Sequence, residues 1–114
     1  MEESIYEPLF RSEDTVFTPE QKLWISVVMQ AAIDAASTNP ATRKEVFNWM
    51  RSEDFDIVCG MAGMSKTQVR YDMEAILSAP TIKQAFRYAM SFRYLVRSYI
   101  EDNLGEVDKG KDSE

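Results

Sequence analysis

Apolar and polar residues alternate along most of this chain with the period of a helix rather than that of a strand. Leu23, Val27, Ala31 and Ala35 fall on one face, with Trp24, Val28, Ala32 and Ala36 beside them. A stripe this wide predicts a largely buried helix. Thr18-Pro19-Glu20-Gln21 marks its start, with Thr as N-cap, Pro at the first helical position and Gln placed to complete a capping box. Ser37-Thr38-Asn39-Pro40 ends that helix and begins another near residues 41–51. There Val46, Phe47, Trp49 and Met50 form the apolar side, while Arg43, Lys44, Glu45 and Arg51 turn to water. Trp24 and Trp49 read as core or half-buried packing residues.

Two short helices are expected to meet within residues 55–77, FDIVCGMAGMSKTQVRYDMEAIL. Ser52-Glu53-Asp54 caps the first of them. The carboxylates of Glu53, Asp54 and Asp56 suit the positive end of its dipole, which is a sufficient reason for them. Gly63 can take the positive φ at which that helix stops, and Ser65 with Gln68 three places on makes a capping box for the next. Small Cys59 lets the two helices cross closely, Met64 and Val69 close the wedge between them, and Ile57, Val58 and Met61 face the remaining core. Ser78-Ala79-Pro80-Thr81 then restarts the chain as its longest helix, 82 to about 103, closed by Leu104-Gly105. Ile82, Ala85, Phe86, Ala89, Phe92, Val96, Tyr99 and Ile100 form its apolar stripe. Lys83, Arg87, Tyr94 and Arg97 line another, with Met90 and Arg93 at the margins.

Residues 1–17 have no helical or strand period and are acidic, with Ile5, Tyr6, Leu9 and Phe10 available to anchor an otherwise loose arm to the body or to a second subunit. The polar residues 105–114 read as a disordered acidic tail. The expected architecture is therefore all-α, one compact domain of about five helices over residues 18–104, with a tight central helix pair and a long C-terminal helix.

Composition narrows the chemistry. A chain of 114 residues, 45% hydrophobic and with seven Met, supports one real core. No run approaches the roughly 20 apolar residues that span a bilayer, and the acidic start lacks the basic opening of a signal peptide, so no membrane and a cytoplasmic location are expected. With one Cys and no His there is no internal disulfide, no zinc-finger pattern and no Ser-His or Cys-His pair. No catalytic residue, metal or cofactor is expected, and the chain does not read as an enzyme. The net charge of −6 is unevenly distributed. Residues 1–65 carry five basic and eleven acidic side chains, a net −6; residues 66–97 carry six and two, a net +4; residues 98–114 carry two and six, a net −4. Basic charge is concentrated where a nucleic-acid footprint would have to lie.

Val58-Cys59, Ala62-Gly63-Met64-Ser65 and Val69 resemble the helix-turn-helix of bacterial and phage repressors of the lac-repressor and lambda-repressor types. Those motifs place a small residue four positions before the turn glycine, an apolar residue just after it, often Ser next, and Val six positions after the glycine. The chain departs from the pattern at Asp72, where another buried apolar residue is usual. Either the second helix rotates so that Met73 and Ile76 take over, or the pair is an ordinary helical hairpin. The resemblance implies that the helix from Lys66 enters the major groove of duplex DNA with its N-terminal residues leading. Lys66, Thr67, Gln68, Arg70 and Tyr71 are then the reading face. Arg suits guanine and Gln adenine, while Lys and Tyr suit phosphate. Lys83, Arg87, Arg93 and Arg97 are further phosphate candidates, and part of the long helix is available to pair with a second copy in a homodimer.

These residues favour a small DNA-binding protein, a transcriptional regulator of bacterial or phage style. A DNA-packaging adaptor of the small-terminase type shares the same motif. The competing reading is an acidic protein-interaction module that binds or inhibits a partner protein, with the helix pair only a packing device. Under the first reading, replacing Arg70 and Lys66 by Ala abolishes duplex binding and leaves the fold intact.

Overall fold

Helices form where the capping signals stand. In the computed structural model, which describes residues 8–10 and 17–112 and side chains as far as residue 101, the elements are α1 (Pro19–Ala35), α2 (Pro40–Met50), α3 (Glu53–Ala62), α4 (Lys66–Leu77) and α5 (Ile82–Asp112). Over the described residues the protein is an all-α domain of five helices. Thr18 Oγ1 accepts from the Gln21 N–H at 3.0 Å, Asn39 Oδ1 from Ala41 at 2.9 Å and Thr81 Oγ1 from Gln84 at 3.1 Å. Each such bond satisfies one of the N–H groups that a helix start leaves without an intrahelical partner. Only the forward half of the expected capping box at Thr18 forms. The Gln21 side chain instead donates to the Ala62 carbonyl at 3.0 Å, tying the start of α1 to the end of α3.

α1 packs most extensively on α3 and also meets α2, α4 and α5, while α4 lies along α5. The core that results contains Phe10, Phe17, Phe55, Ile25, Met50, Met73 and Ile76, and no polar or charged residue is fully buried among the described residues. Alanines occupy the buried positions of the longest helices, Ala31, Ala32 and Ala35 in α1 and Ala85 and Ala89 in α5. Side chains this small let helix axes approach closely.

The stripes differ from the periodic reading in register. On α1 the buried face turns towards Ile25, Val28 and Ala32, leaving Leu23 60% exposed and Val27 at the surface. On α3, Ile57 and Met61 face outwards rather than into the core. On α2, Phe47 is exposed, with the Arg51 guanidinium 5.3 Å from its ring centre. On α5 the buried row is Ala85, Ala89, Phe92 and Val96, and Phe86 is 52% exposed. One cause serves all of these: five helices around a small core each bury only the narrow sector aimed at it, so a wide apolar stripe keeps one edge outside.

The ends differ too. α5 continues past Leu104-Gly105 to Asp112. No proline follows Gly105, and a glycine inside a helix weakens it by about 1 kcal/mol without ending it. At the other end Leu9 and Phe10 anchor to the body. Phe10 is buried, forms an antiparallel bridge with Met64 and stacks on Tyr99 at 4.6 Å, while Phe17 meets both rings edge-on. Ile5 and Tyr6 lie outside the described residues.

Candidate nucleic-acid interface

Local sequence determines how α3 hands over to α4. The Ser52 Oγ caps α3 by accepting from the Phe55 N–H at 3.4 Å. α3 stops at Gly63, whose φ of 73° lies in the left-handed region. Its N–H donates to the Gly60 carbonyl at 3.1 Å, and the N–H of Met64 to the Cys59 carbonyl at 2.9 Å. This pair of bonds closes a helix end through one left-handed residue and costs glycine no Cβ clash. Two residues on, Ser65 Oγ accepts from the Gln68 N–H at 3.2 Å and α4 begins. Cys59, Met64 and Val69 are all buried in the angle between the two helices. Met73 and Ile76 are buried too, while Asp72 is only half-buried, so the helix has rotated past the aspartate.

The start of α4 has a second support. The Ser65 N–H donates to the Leu9 carbonyl at 2.8 Å. An N–H at a helix start is thereby satisfied by the N-terminal arm, and the arm is held beside Lys66.

The expected reading face divides on inspection. Arg70 is turned inwards: its Nη2 donates to the Met50 carbonyl at 3.3 Å and lies 3.6 Å from Asp56 Oδ1, and its guanidinium sits 4.9 Å from the ring centre of buried Phe55. Phe55 in turn meets the Trp49 ring edge-on at 5.1 Å, and Trp49 Nε1 donates to Asp54 Oδ2 at 2.9 Å. Arg70 is thus a bracket between α2, α3 and α4. Lys66 Nζ lies 3.5 Å from Asp56 Oδ2 with both groups partly in water, which makes this a weak, screened pair. Gln68 bonds forward along its own helix, its Nε2 donating to Asp72 Oδ1 at 3.2 Å, rather than back to the cap. Burial pushes the Asp72 carboxyl above the usual range, and the Gln68 hydrogen bond partly offsets this. Thr67 and Tyr71 stand clear, Tyr71 at 66% exposure. The outward strip of α4 is Lys66, Thr67, Tyr71 and Glu74.

The α5 cations do not join that strip. α4 packs against the α5 flank of Tyr88 and Leu95, which line a hollow of about 260 Å³ with Asp72, Ala75, Ser91 and Phe92. Arg97 stands about 200° round the helix from Leu95. Arg93 and Arg97 instead line a separate hollow of about 320 Å³ with Met90, Tyr94, Ser98 and Glu101. Lys83 and Arg87 are exposed in the first two turns of α5, which begins after the end of α4 opposite Lys66.

Asp56 is the residue that sequence reasoning undervalued. Its place in a first turn explained it locally, yet it is the counter-charge for both α4 cations. Only the crossing of α3 and α4 creates that role, and no local spacing announces it. Cys59 offers no nucleophile, because burial first and Asp56 second push its thiol up to about 11. Among the described residues no group of three or more His, Cys, Asp or Glu side chains is placed to hold a metal, and no helix is long and apolar enough to cross a membrane. No family model, curated protein or solved structure matches the chain.

Proposed function

We propose that this protein binds duplex DNA as a homodimer, acting as a transcriptional regulator of bacterial or phage style, with the first two turns of α4 as its reading element. The observation that carries the reading is the α3–α4 junction. A glycine-closed helix end and a serine cap present the start of α4, with Lys66, Thr67 and Tyr71 exposed on a helix whose opposite face is locked into the core. A helix held this way can enter a major groove without repacking the domain. Lys66 and Tyr71 suit phosphates and Thr67 a base edge, while Arg70 supports the element from behind.

Because Arg70 braces three helices, replacing it tests the fold as much as recognition. The decisive variant is Lys66→Ala with Tyr71→Ala, two exposed positions. Selection of bound sequences from a random duplex pool at two salt concentrations should return a motif for the parent, and the double variant should bind it at least ~10-fold more weakly, with a salt slope smaller by about one. Equal binding by parent and variant removes α4 from the interface. A packaging adaptor of small-terminase type uses the same element and differs by assembling as a ring, which the mass of the DNA-free particle reports.

A second reading has its own support. Asp56 already answers the α4 cations, and large apolar side chains such as Leu23, Ile57, Met61 and Leu95 stand in water. Surfaces of this kind mark protein contacts. Failure to bind duplex at either salt concentration favours an acidic protein-interaction module.

A further inference from the structure

We propose that the outer flank of α5 binds single-stranded DNA, as a surface separate from the α4 element and independent of its duplex reading. The order of charged and apolar side chains around that flank carries the inference.

Helical geometry sets the order. The buried row of α5 is Ala85, Ala89, Phe92 and Val96. Moving round the helix from the edge of that row, Arg93, Phe86, Arg97, Met90, Lys83, Tyr94 and Arg87 follow one another at steps of about 20°. Cation and apolar residue alternate at every step, and residues 82–97 contain no acid. All of these side chains are exposed, Phe86 to 52% and Tyr94 to 71%, except Arg93, which is half-buried at the margin. None of the four cations makes an ion pair among the described residues. Along the axis Phe86, Met90 and Tyr94 succeed one another about 6 Å apart, as do Lys83 and Arg87, and Arg93 and Arg97.

Interleaving selects the occupant. A helix that lies in a membrane surface separates an apolar face from a charged one, and a helical protein partner needs an unbroken apolar seam. Neither exists here, because Phe86, Met90 and Tyr94 each have a cation on both sides. A duplex offers phosphates but keeps its bases stacked inside, which leaves the two rings without partners. A single strand offers both at once, phosphates for the cations and unstacked bases for the rings.

Met90, Arg93, Tyr94 and Arg97 also line a hollow of about 320 Å³, with Ser98 and Glu101 beyond them along α5. A base resting on Tyr94 there has two guanidinium groups in the same hollow for its phosphates, and Glu101 marks where a phosphate path must end. The sugar decides between DNA and RNA. Among the seven residues of the flank the only neutral polar group is the Tyr94 hydroxyl, so a ribose 2′-hydroxyl laid along it loses water with little in return.

The test is fluorescence anisotropy of a labelled single DNA strand of about 12 nucleotides and mixed sequence, titrated with the full chain at two salt concentrations. The parent should bind saturably and more weakly as salt rises, and Lys83→Ala with Arg87→Ala should lower the salt slope by about 1.4. Phe86→Leu and Tyr94→Leu should each bind ~5-fold or more weakly, since each keeps an apolar side chain and loses only the flat ring. Phe86→Trp should bind at least as well as the parent, and a thermal melt of each variant checks that the fold is retained. Lys66→Ala with Tyr71→Ala should bind the strand as the parent does, which separates this surface from the duplex reading of α4. Absence of saturable binding at the lower salt overturns the proposal, as does full affinity in both leucine variants. An RNA strand of the same sequence that binds as tightly as the DNA overturns it in favour of RNA. Phosphatidylserine vesicles that displace the strand, or a parent dimer in light scattering that Phe86→Leu dissociates, overturn it in favour of a membrane or a second copy.

Discussion

The α3–α4 junction and the outer flank of α5 are built from the same residue types, apolar side chains with basic ones interleaved, and the fold treats them in opposite ways. At the junction Cys59, Met64 and Val69 are buried, and the nearby cations Lys66 and Arg70 are turned to Asp56. On the α5 flank Phe86, Met90 and Tyr94 stand in water beside cations that make no ion pair among the described residues. The difference lies in what each region needs in order to form. The turn of the junction is closed by bonds between residues at most five apart, with the Leu9 carbonyl added from the arm, and the local bonds orient the two helices so that their small and apolar residues meet. The flank belongs to a helix already anchored by its other side, so nothing within the chain is required to cover it.

The comparison breaks most severely at Phe10, which ties the junction to the core side of α5 by touching Met64 and Tyr99. Phe10→Ala should lower stability by about 3–5 kcal/mol in a denaturant melt, the usual loss for truncating a buried Phe. Within α5, Val96→Ala should cost about 2 kcal/mol, since Val96 is fully buried, whereas Phe86→Ser should change the melt of the monomer by less than about 0.5 kcal/mol. Equal losses at the two positions would mean that the flank is part of the core. Two glycines three residues apart sharpen the contrast at the junction. Gly63→Ala should cost about 1–2 kcal/mol, because it forces a Cβ into the left-handed region. Gly60→Ala should gain about 0.5–1 kcal/mol, because its backbone is helical and the space above it is open.

The smallest effect concerns Asp72. Its folded-state carboxyl titrates above the ordinary value of 3.8, so between those two pH values the folded state holds more protons than the unfolded one, and stability falls as pH rises through that window. Asp72→Asn should therefore be more stable than the parent at pH 7, with the advantage shrinking as pH falls through that window and gone below the ordinary value of 3.8. Paired thermal melts at neutral and acid pH measure this, and a gain that does not vary with pH would remove burial as its cause.

Local chemistry made much of the fold legible. Thr18, Asn39, Ser52, Ser65 and Thr81 cap the helices they precede, and Gly63 takes the positive φ its position calls for, because each capping bond spans two or three residues and needs no distant partner. Periodicity told which residues are apolar, but not which edge of each stripe faces inwards, so Leu23, Ile57, Met61 and Phe86 were assigned to the core and lie outside it.

By itself, then, the sequence determined the helices, their order and the tight joint between α3 and α4, since these follow from backbone hydrogen bonds and caps made within a few residues. Tertiary structure alone decided the rest. It sent the Gln21 side chain to Ala62 instead of back to its own cap, made Asp56 the partner of Lys66 and Arg70, and drew the Leu9 carbonyl to Ser65. It also turned Arg93 and Arg97 away from α4. The reason is physical: a side chain's partner depends on the crossing of helices distant in sequence, and those crossings follow from how a small core divides its limited space among five apolar faces.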